Sequence, residues 1–202
     1  MAFRSLHRCV ESPETVGKIQ DTNVYAPYPL RVLNWQTVNF GGTSVTKKHI
    51  YTWKDIETMC TNIVIQMYRD HFTPSKIIGI TRGGNIPATI ISNMTGIPCE
   101  ALKVSLRDDD IECEHNQQLA DFAGNGLGVL VVDDINDTGA TFNWIHQDWK
   151  LHLAKHQVRF ATLTENLASE FGNVSYYAHE VNKAEEDLWL VYPWEDVGEY
   201  YG

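Results

Sequence analysis

The sequence predicts an α/β protein, a parallel sheet flanked by helices with a small C-terminal hood, on three observations. From Lys76 to Leu163 short apolar runs alternate with segments of helical periodicity, as a parallel sheet requires when each crossover returns over one of its faces. The most apolar of these runs ends in two adjacent carboxylates and a loop of small residues, the form of a strand end that meets a ligand in an open sheet. The chain has 202 residues, 43% hydrophobic and 21% charged, enough to bury one sizeable core and too apolar for a disordered or low-complexity chain.

Taken in order, residues 1–48 are polar, carry Pro13, Pro27 and Pro29, and include the turn-like pair Gly41-Gly42. They read as an irregular extension of unknown role, with a short hairpin around 31–46. From Thr52 the pattern changes. Trp53, Ile56, Met59, Cys60, Ile63, Val64 and Met67 recur at helical spacing, with Thr52 as N-cap and Asp55 in the first turn, which predicts a helix with one buried face. Lys76 to Ile80 is a buried strand, Pro87 to Asn93 a helix closed by Gly96, and Cys99 to Ser105 the next strand. Gly128 to Val132 is the most apolar strand. The helix after it runs from Thr141 to about Lys155, with Trp144, Ile145, Trp149 and Leu153 on one face, and Val158 to Leu163 closes the series. The tail from Val174 carries two short strands, around Tyr176-Tyr177 and from Leu188 to Tyr192.

Charge and cysteine usage bound the chemistry. With 16 Lys+Arg against 26 Asp+Glu the formal net charge is -10, which excludes a polyanion binder that works by neutralising many phosphates. A small phosphorylated ligand stays open, because backbone amides and a divalent metal carry charge locally. Cys9, Cys60, Cys99 and Cys113 contain no C-x-x-C pair, so the reading is reduced thiols rather than a zinc knuckle or disulfide framework. Residues 1–10 lack the apolar core of a signal peptide, and no stretch is long enough to span a membrane. The expectation is a soluble cytoplasmic protein with no nucleic-acid or membrane partner.

The strongest local signal is Val129-Leu130-Val131-Val132-Asp133-Asp134-Ile135-Asn136-Asp137-Thr138-Gly139-Ala140-Thr141. The apolar residues bury the strand, and the two acids emerge at its C-terminal end. On an extended chain they point in opposite directions, so they suit two ribose hydroxyls, or one hydroxyl and a hydrated Mg²⁺. Gly139 and Ala140 let backbone N–H groups approach a phosphate, and the helix N-terminus adds a favourable partial charge.

This run resembles the signature of phosphoribosyltransferases that use phosphoribosyl pyrophosphate: an apolar strand, two acids, a short spacer, then Asp/Glu-Thr-Gly-Gly/Ala-Thr. The resemblance implies a phosphoribosyltransferase fold and site. Asp133 and Asp134 would engage the ribose hydroxyls, with Asp134 as the Mg²⁺ contact. Thr138, Gly139, Ala140 and Thr141 would cradle the 5-phosphate, and Asp137 would lie near purine N7 to accept or orient a proton. Ile80-Thr81-Arg82-Gly83-Gly84-Asn85, about 50 residues earlier, stands where the family has its pyrophosphate loop. Thr81, Arg82, Gly83 and Gly84 would bind pyrophosphate, with the family's frequent cis peptide at Arg82-Gly83.

The tail Asp187-Leu188-Trp189-Leu190-Val191-Tyr192-Pro193-Trp194-Glu195 resembles the Trp-x-x-x-Pro-Trp-Asp/Glu ending of xanthine-guanine phosphoribosyltransferases, and Ile50-Tyr51-Thr52-Trp53 resembles their opening. The resemblance covers about residues 49–196. It implies purine stacking on Trp189, base contacts from Leu190, and the division 1–48 extension, 49–163 core and 164–202 hood and base-binding tail. It also implies catalysis by Asp137, Asp133 and Asp134, Mg²⁺ as cofactor, and a homo-oligomer, dimer or tetramer.

Two departures stand out. Asn166 occupies the place of the subfamily's purine-contacting lysine, so the base reader falls on an amide that accepts either a 6-oxo or a 6-amino group. Gln118 replaces an arginine in Asn116-Gln117-Gln118, part of a mobile lid over 106–118 that would exclude water. Rival readings are a non-catalytic sensor of phosphoribosyl pyrophosphate and an enzyme acting on a pyrimidine or modified base. His152 and His156, four apart on an expected helix, could share a metal only if further ligands joined them.

Overall fold

The computed structural model describes residues 35–37, 47–106, 112–151 and 157–195, all within the unit Leu33–Gly202. Near the N-terminus, β1 (Trp35–Thr37) and β2 (Lys47–Ile50) pair antiparallel, Trp35 opposite His49. Strand β1 lies within the span 31–46 where a hairpin is expected, and its partner strand falls just beyond that span, at Lys47–Ile50.

Helix α1 spans Trp53–Arg69 and starts with a capping box: the Thr52 hydroxyl accepts from Asp55 N and the Asp55 carboxylate accepts from Thr52 N. Ile56, Met59, Cys60, Ile63 and Met67 form its buried face, as the spacing predicts. Trp53 departs from that expectation at 57% exposed. At the first helical position it leaves the core side and lies against Trp194, ring centroids 6.1 Å apart.

The large sheet follows from β3 (Lys76–Thr81), β4 (Cys99–Ser105), β5 (Glu112–Cys113), β6 (Val129–Asn136), β7 (Val158–Asn166) and β8 (Val174–Val181), in the order β5-β4-β3-β6-β7-β8. All neighbours are parallel except β5, which runs antiparallel to β4. Helix α2 (Asn85–Thr95) follows β3 and closes on Gly96, α3 (Gln117–Gly124) precedes β6, and α4 (Ala140–Asp148) follows it. The expected parallel sheet flanked by helices is what folds.

Residues alternate across the sheet along β6. Leu130 and Val132 join the core packed under α1 and α2, while Val129 and Val131 join the core with Phe142 and Ile145 of α4. Each of these side chains, removed from water, contributes about 1.5–3 kcal/mol. That burial on both faces is what makes the run continuously apolar.

Four sequence expectations shift. Strand β6 runs past Val132 through both acids to Asn136, because Asp133, Ile135 and Asn136 keep ladder partners on β7. Strand β7 continues to Asn166, and β8 joins the large sheet, so the boundary expected at 163/164 falls inside a strand. Helix α4 stops at Asp148 rather than near Lys155, with Lys150 in the left-handed conformation (φ 52°) just beyond it. Asn116-Gln117-Gln118 form the start of α3 rather than a loop. Asn116 caps α3, its side-chain oxygen accepting from Leu119 N at 3.1 Å, and β5 ties residues 112–113 to β4. Residues 107–111 of the expected lid, and His152 and His156, lie outside the described residues.

The hood is a three-stranded sheet, β1-β2-β9, in which β9 (Leu188–Val191) runs parallel to β2. Two of its strands come from before residue 51, so the segment expected as an extension of unknown role supplies part of the hood.

Candidate active site

Strands β3 and β6 are neighbours at the centre of the sheet, and the strand order departs in opposite directions from them. Their C-terminal ends thus define a switch point, the place where two strand-to-helix loops diverge and leave a crevice. A cleft of about 1740 Å³ opens there beneath the hood. It is bordered by Thr81 at the end of β3 with Arg82 and Gly83 after it, by Asp133 to Thr141 from β6 into α4, and by Leu188 to Tyr192 of the tail.

The two loops are in contact. A Cβ on Gly83 would fall 1.9 Å from Asp134 Oδ2, and one on Gly84 would fall 2.4 Å from the Val132 carbonyl oxygen. Both glycines are required because the turn after β3 presses its backbone onto the acid pair. Strand β3 ends at Thr81 and the cis peptide lies between Thr81 and Arg82, one bond earlier than expected.

Each acid spends one oxygen on the adjacent backbone: Asp134 N donates to Asp133 Oδ1 and Ile135 N to Asp134 Oδ1, both at 2.9 Å. These bonds fix two half-buried carboxylates with opposite parity on one strand. The loop after them turns at Gly139, whose φ of 88° and contact with Phe171 (2.5 Å from its N to an added Cβ) exclude a side chain. Ala140 N points to Thr138 Oγ1 at 3.3 Å, and α4 begins here with its N-terminus at the cleft. Such a loop offers backbone N–H donors and a helix dipole to an anion.

Asn166 does not border the cleft. It is 5% exposed, and its amide is fully engaged: Nδ2 donates to the Asp137 carbonyl (2.9 Å) and to Asp137 Oδ1 (3.3 Å), while Oδ1 accepts from Ala168 N (3.2 Å) and Lys183 N (3.0 Å). The sequence expectation of a base reader at Asn166 is corrected accordingly, since an amide with both ends committed to the backbone has nothing left to offer a ligand. Trp189 is 59% exposed and faces the cleft, with Lys48 Nζ 5.1 Å from its ring centroid. The alternation along β9 turns the neighbouring Leu190 side chain into the core. Trp194 stacks on Tyr192, 4.9 Å between centroids.

A family model described as phosphoribosyl transferase domain matches residues 46–193, a span that contains all of the residues lining this cleft except Trp194 and Glu195. The chain belongs to the phosphoribosyltransferase family. Among curated proteins it is similar to a xanthine-guanine phosphoribosyltransferase of Gluconobacter oxydans, 28% identical over 71% of this chain and 82% of that one. A protein of the same name from Cereibacter sphaeroides is 30% identical over 61% of this chain and 71% of its own. Among solved structures, a purine phosphoribosyltransferase from Pyrococcus horikoshii superposes with a TM-score of 0.56 at 23% identity, over 77% of this chain and 98% of that one. A xanthine-guanine-hypoxanthine phosphoribosyltransferase of Helicobacter pylori gives 0.57 at 14% identity, over 74% of this chain and 94% of that one. These two likenesses bear on the fold.

In this phosphoribosyltransferase the structure gathers Thr81, Arg82, Gly83, Asp133, Asp134, Asp137, Thr138, Gly139, Ala140, Thr141, Trp189 and Leu190 around one cleft, with Gly84 behind the loop. Sequence reasoning missed two contributors. Lys183 lines the cleft and its Nζ donates to Asp137 Oδ2 at 2.8 Å. Tyr192 donates its hydroxyl to the Asp134 carbonyl at 3.0 Å and lies 3.0 Å from Thr164 Oγ1. Neither carried a signal: Lys183 is a lone cation in a polar turn, and Tyr192 reads as one more apolar residue of a strand. Lys48, Arg82, Lys103 and Lys183 all border the cleft, so an acidic chain still brings basic groups there.

Proposed function

We propose that this cleft transfers 5-phosphoribose from phosphoribosyl pyrophosphate to a 6-oxopurine, releasing pyrophosphate, in nucleotide salvage. The observation that carries the reading is the meeting of the two loops at Gly83 and Asp134, since a ligand on the acid pair reaches both loops at once. The ribose hydroxyls would meet Asp133 and Asp134, the 5-phosphate the amides from Thr138 to Thr141, and the pyrophosphate the Thr81–Gly84 loop. Trp189 offers the stacking face for the base. The names of the curated relatives support a 6-oxopurine.

The residues suit Mg²⁺, which takes one or two carboxylates and completes its shell with water and substrate phosphates. Asp134, with its Oδ2 turned toward the Gly83 loop, is the candidate contact. Among the described residues no group of three or more His, Cys, Asp or Glu could hold a metal ion by itself. When bound, it would neutralise the departing pyrophosphate.

In the transfer, N9 of the base forms its bond to ribose C1 as the C1–O bond to pyrophosphate breaks and the electron pair leaves with that oxygen. The proton carried on N7 passes to the Asp137 carboxylate, which needs only hydrogen-bond reach. A base panel with phosphoribosyl pyrophosphate and Mg²⁺ tests this by pyrophosphate release. Turnover with hypoxanthine or guanine, abolished by chelator and restored by Mg²⁺, is expected. Turnover with pyrimidines alone, or undiminished activity in chelator, would contradict it.

A further inference from the structure

One polar cluster joins three residues from three places. Asn166, at the end of β7, holds the carbonyl and carboxylate of Asp137 with its Nδ2 and the backbone N–H of Lys183 with its Oδ1. The turn carrying Lys183 is itself fixed: Glu185 N and Glu186 N both donate to the Asn182 carbonyl at 3.1 Å, and Ala184 N donates to Asn182 Oδ1 at 3.2 Å. The Lys183 ammonium and Asp137 carboxylate then sit 2.8 Å apart, each partly exposed, on the wall of the cleft. One amide has thereby set a cation and an anion side by side at the edge of the cavity that Trp189 also borders.

Resting on the reading of this cleft as a base-accepting transferase site, we propose that Lys183 is its specificity-determining residue. Its ammonium donates to an exocyclic oxo group while the adjacent Asp137 accepts the neighbouring ring N–H, and Asn166 positions both. A donor beside an acceptor is complementary to a heterocycle edge that carries an oxygen next to a protonated nitrogen. The 6-oxopurines present that edge at O6 and N7, whereas adenine presents an amino group there and would set donor against donor. The preference for an oxo group is thus supplied by a lysine from the β8–β9 turn, not by the strand position that Asn166 occupies.

The test measures kcat/KM for hypoxanthine, guanine and adenine in the wild type, Lys183→Met and Lys183→Arg, with calorimetry of phosphoribosyl pyrophosphate binding in each. Lys183→Met should lower the oxopurine values relative to adenine by about ten- to a hundredfold, the range of one good edge contact, with phosphoribosyl pyrophosphate affinity unchanged. Lys183→Arg keeps the cation and should keep most of the preference, and it serves if the Met variant does not fold. Equal losses for all bases, or a parallel loss of phosphoribosyl pyrophosphate affinity, would overturn the assignment of Lys183 while leaving the transferase reading intact. A wild type that turns over no base at all would overturn both.

Discussion

Asp133 and Asp134 differ in surroundings although they are neighbours in sequence. Asp133 shares the strand parity of the residues packed beneath α4, and Asp134 that of the residues packed beneath α1 and α2. Asp134 also meets the Gly83 loop, where even a methyl group would collide with its carboxylate. The Asn variants of both acids keep the side-chain size, and the buried residues Val129 to Val132 hold the strand independently. Both should fold normally by circular dichroism. Each should lose about tenfold to a hundredfold in kcat/KM, as expected for a charge-assisted hydrogen bond worth about 1.5–3 kcal/mol. Near wild-type kinetics in both variants would remove the acids from the site.

At the scale of elements, the hood is pinned to the site strand by a buried chain of hydroxyls. Tyr192, just after β9, donates to the Asp134 carbonyl, Thr164 of β7 lies 3.0 Å from Tyr192 and 2.9 Å from Tyr51, and Tyr51 reaches His179 Nδ1 of β8 at 2.5 Å. Removing the Tyr192 hydroxyl with Tyr192→Phe leaves a buried carbonyl without that donor. It should cost about 1–3 kcal/mol in urea unfolding and lower turnover by loosening the strand end. A second element-scale effect lies behind the acidic loop, where Asn136 donates to Glu165 Oε1 at 2.9 Å and to the Phe171 carbonyl at 3.0 Å. Burial pushes the Glu165 carboxyl up from 4.5 to about 7, with the nearby Glu180 charge acting in the same direction. Between these values the folded protein holds a proton that the unfolded chain has released. Stability from this group is therefore full below pH 4.5 and declines as pH rises toward 7. Thermal melts of Glu165→Gln should lack that decline, and a wild type and variant with parallel pH profiles would contradict the assignment.

Across the whole molecule, the sheet and the acid-bearing end of β6 were legible because their signals are local. An unbroken apolar run such as Val129–Val132 needs burial on both faces, and the acids and small residues after it need a ligand to justify them. The wall proposed to face the base was not legible, because it is assembled from Asp137, Asn166 and Lys183, which are related only by the packing of β6, β7 and the β8–β9 turn. The resemblance implies a lysine at the position of Asn166; it carries no sign of a lysine arriving from another turn. The hood escaped for the same reason, since β9 completes its sheet with β2, far away in the chain. The central claim joins these parts into a single transfer reaction, and identification of the product tests it most directly. Incubated with phosphoribosyl pyrophosphate, Mg²⁺ and hypoxanthine or guanine, the protein should yield the corresponding nucleoside 5-monophosphate and pyrophosphate in equal amounts by mass spectrometry, and Asp134→Asn should yield far less. Binding of phosphoribosyl pyrophosphate with no nucleotide formed from any purine would contradict the account and leave a sensor in its place.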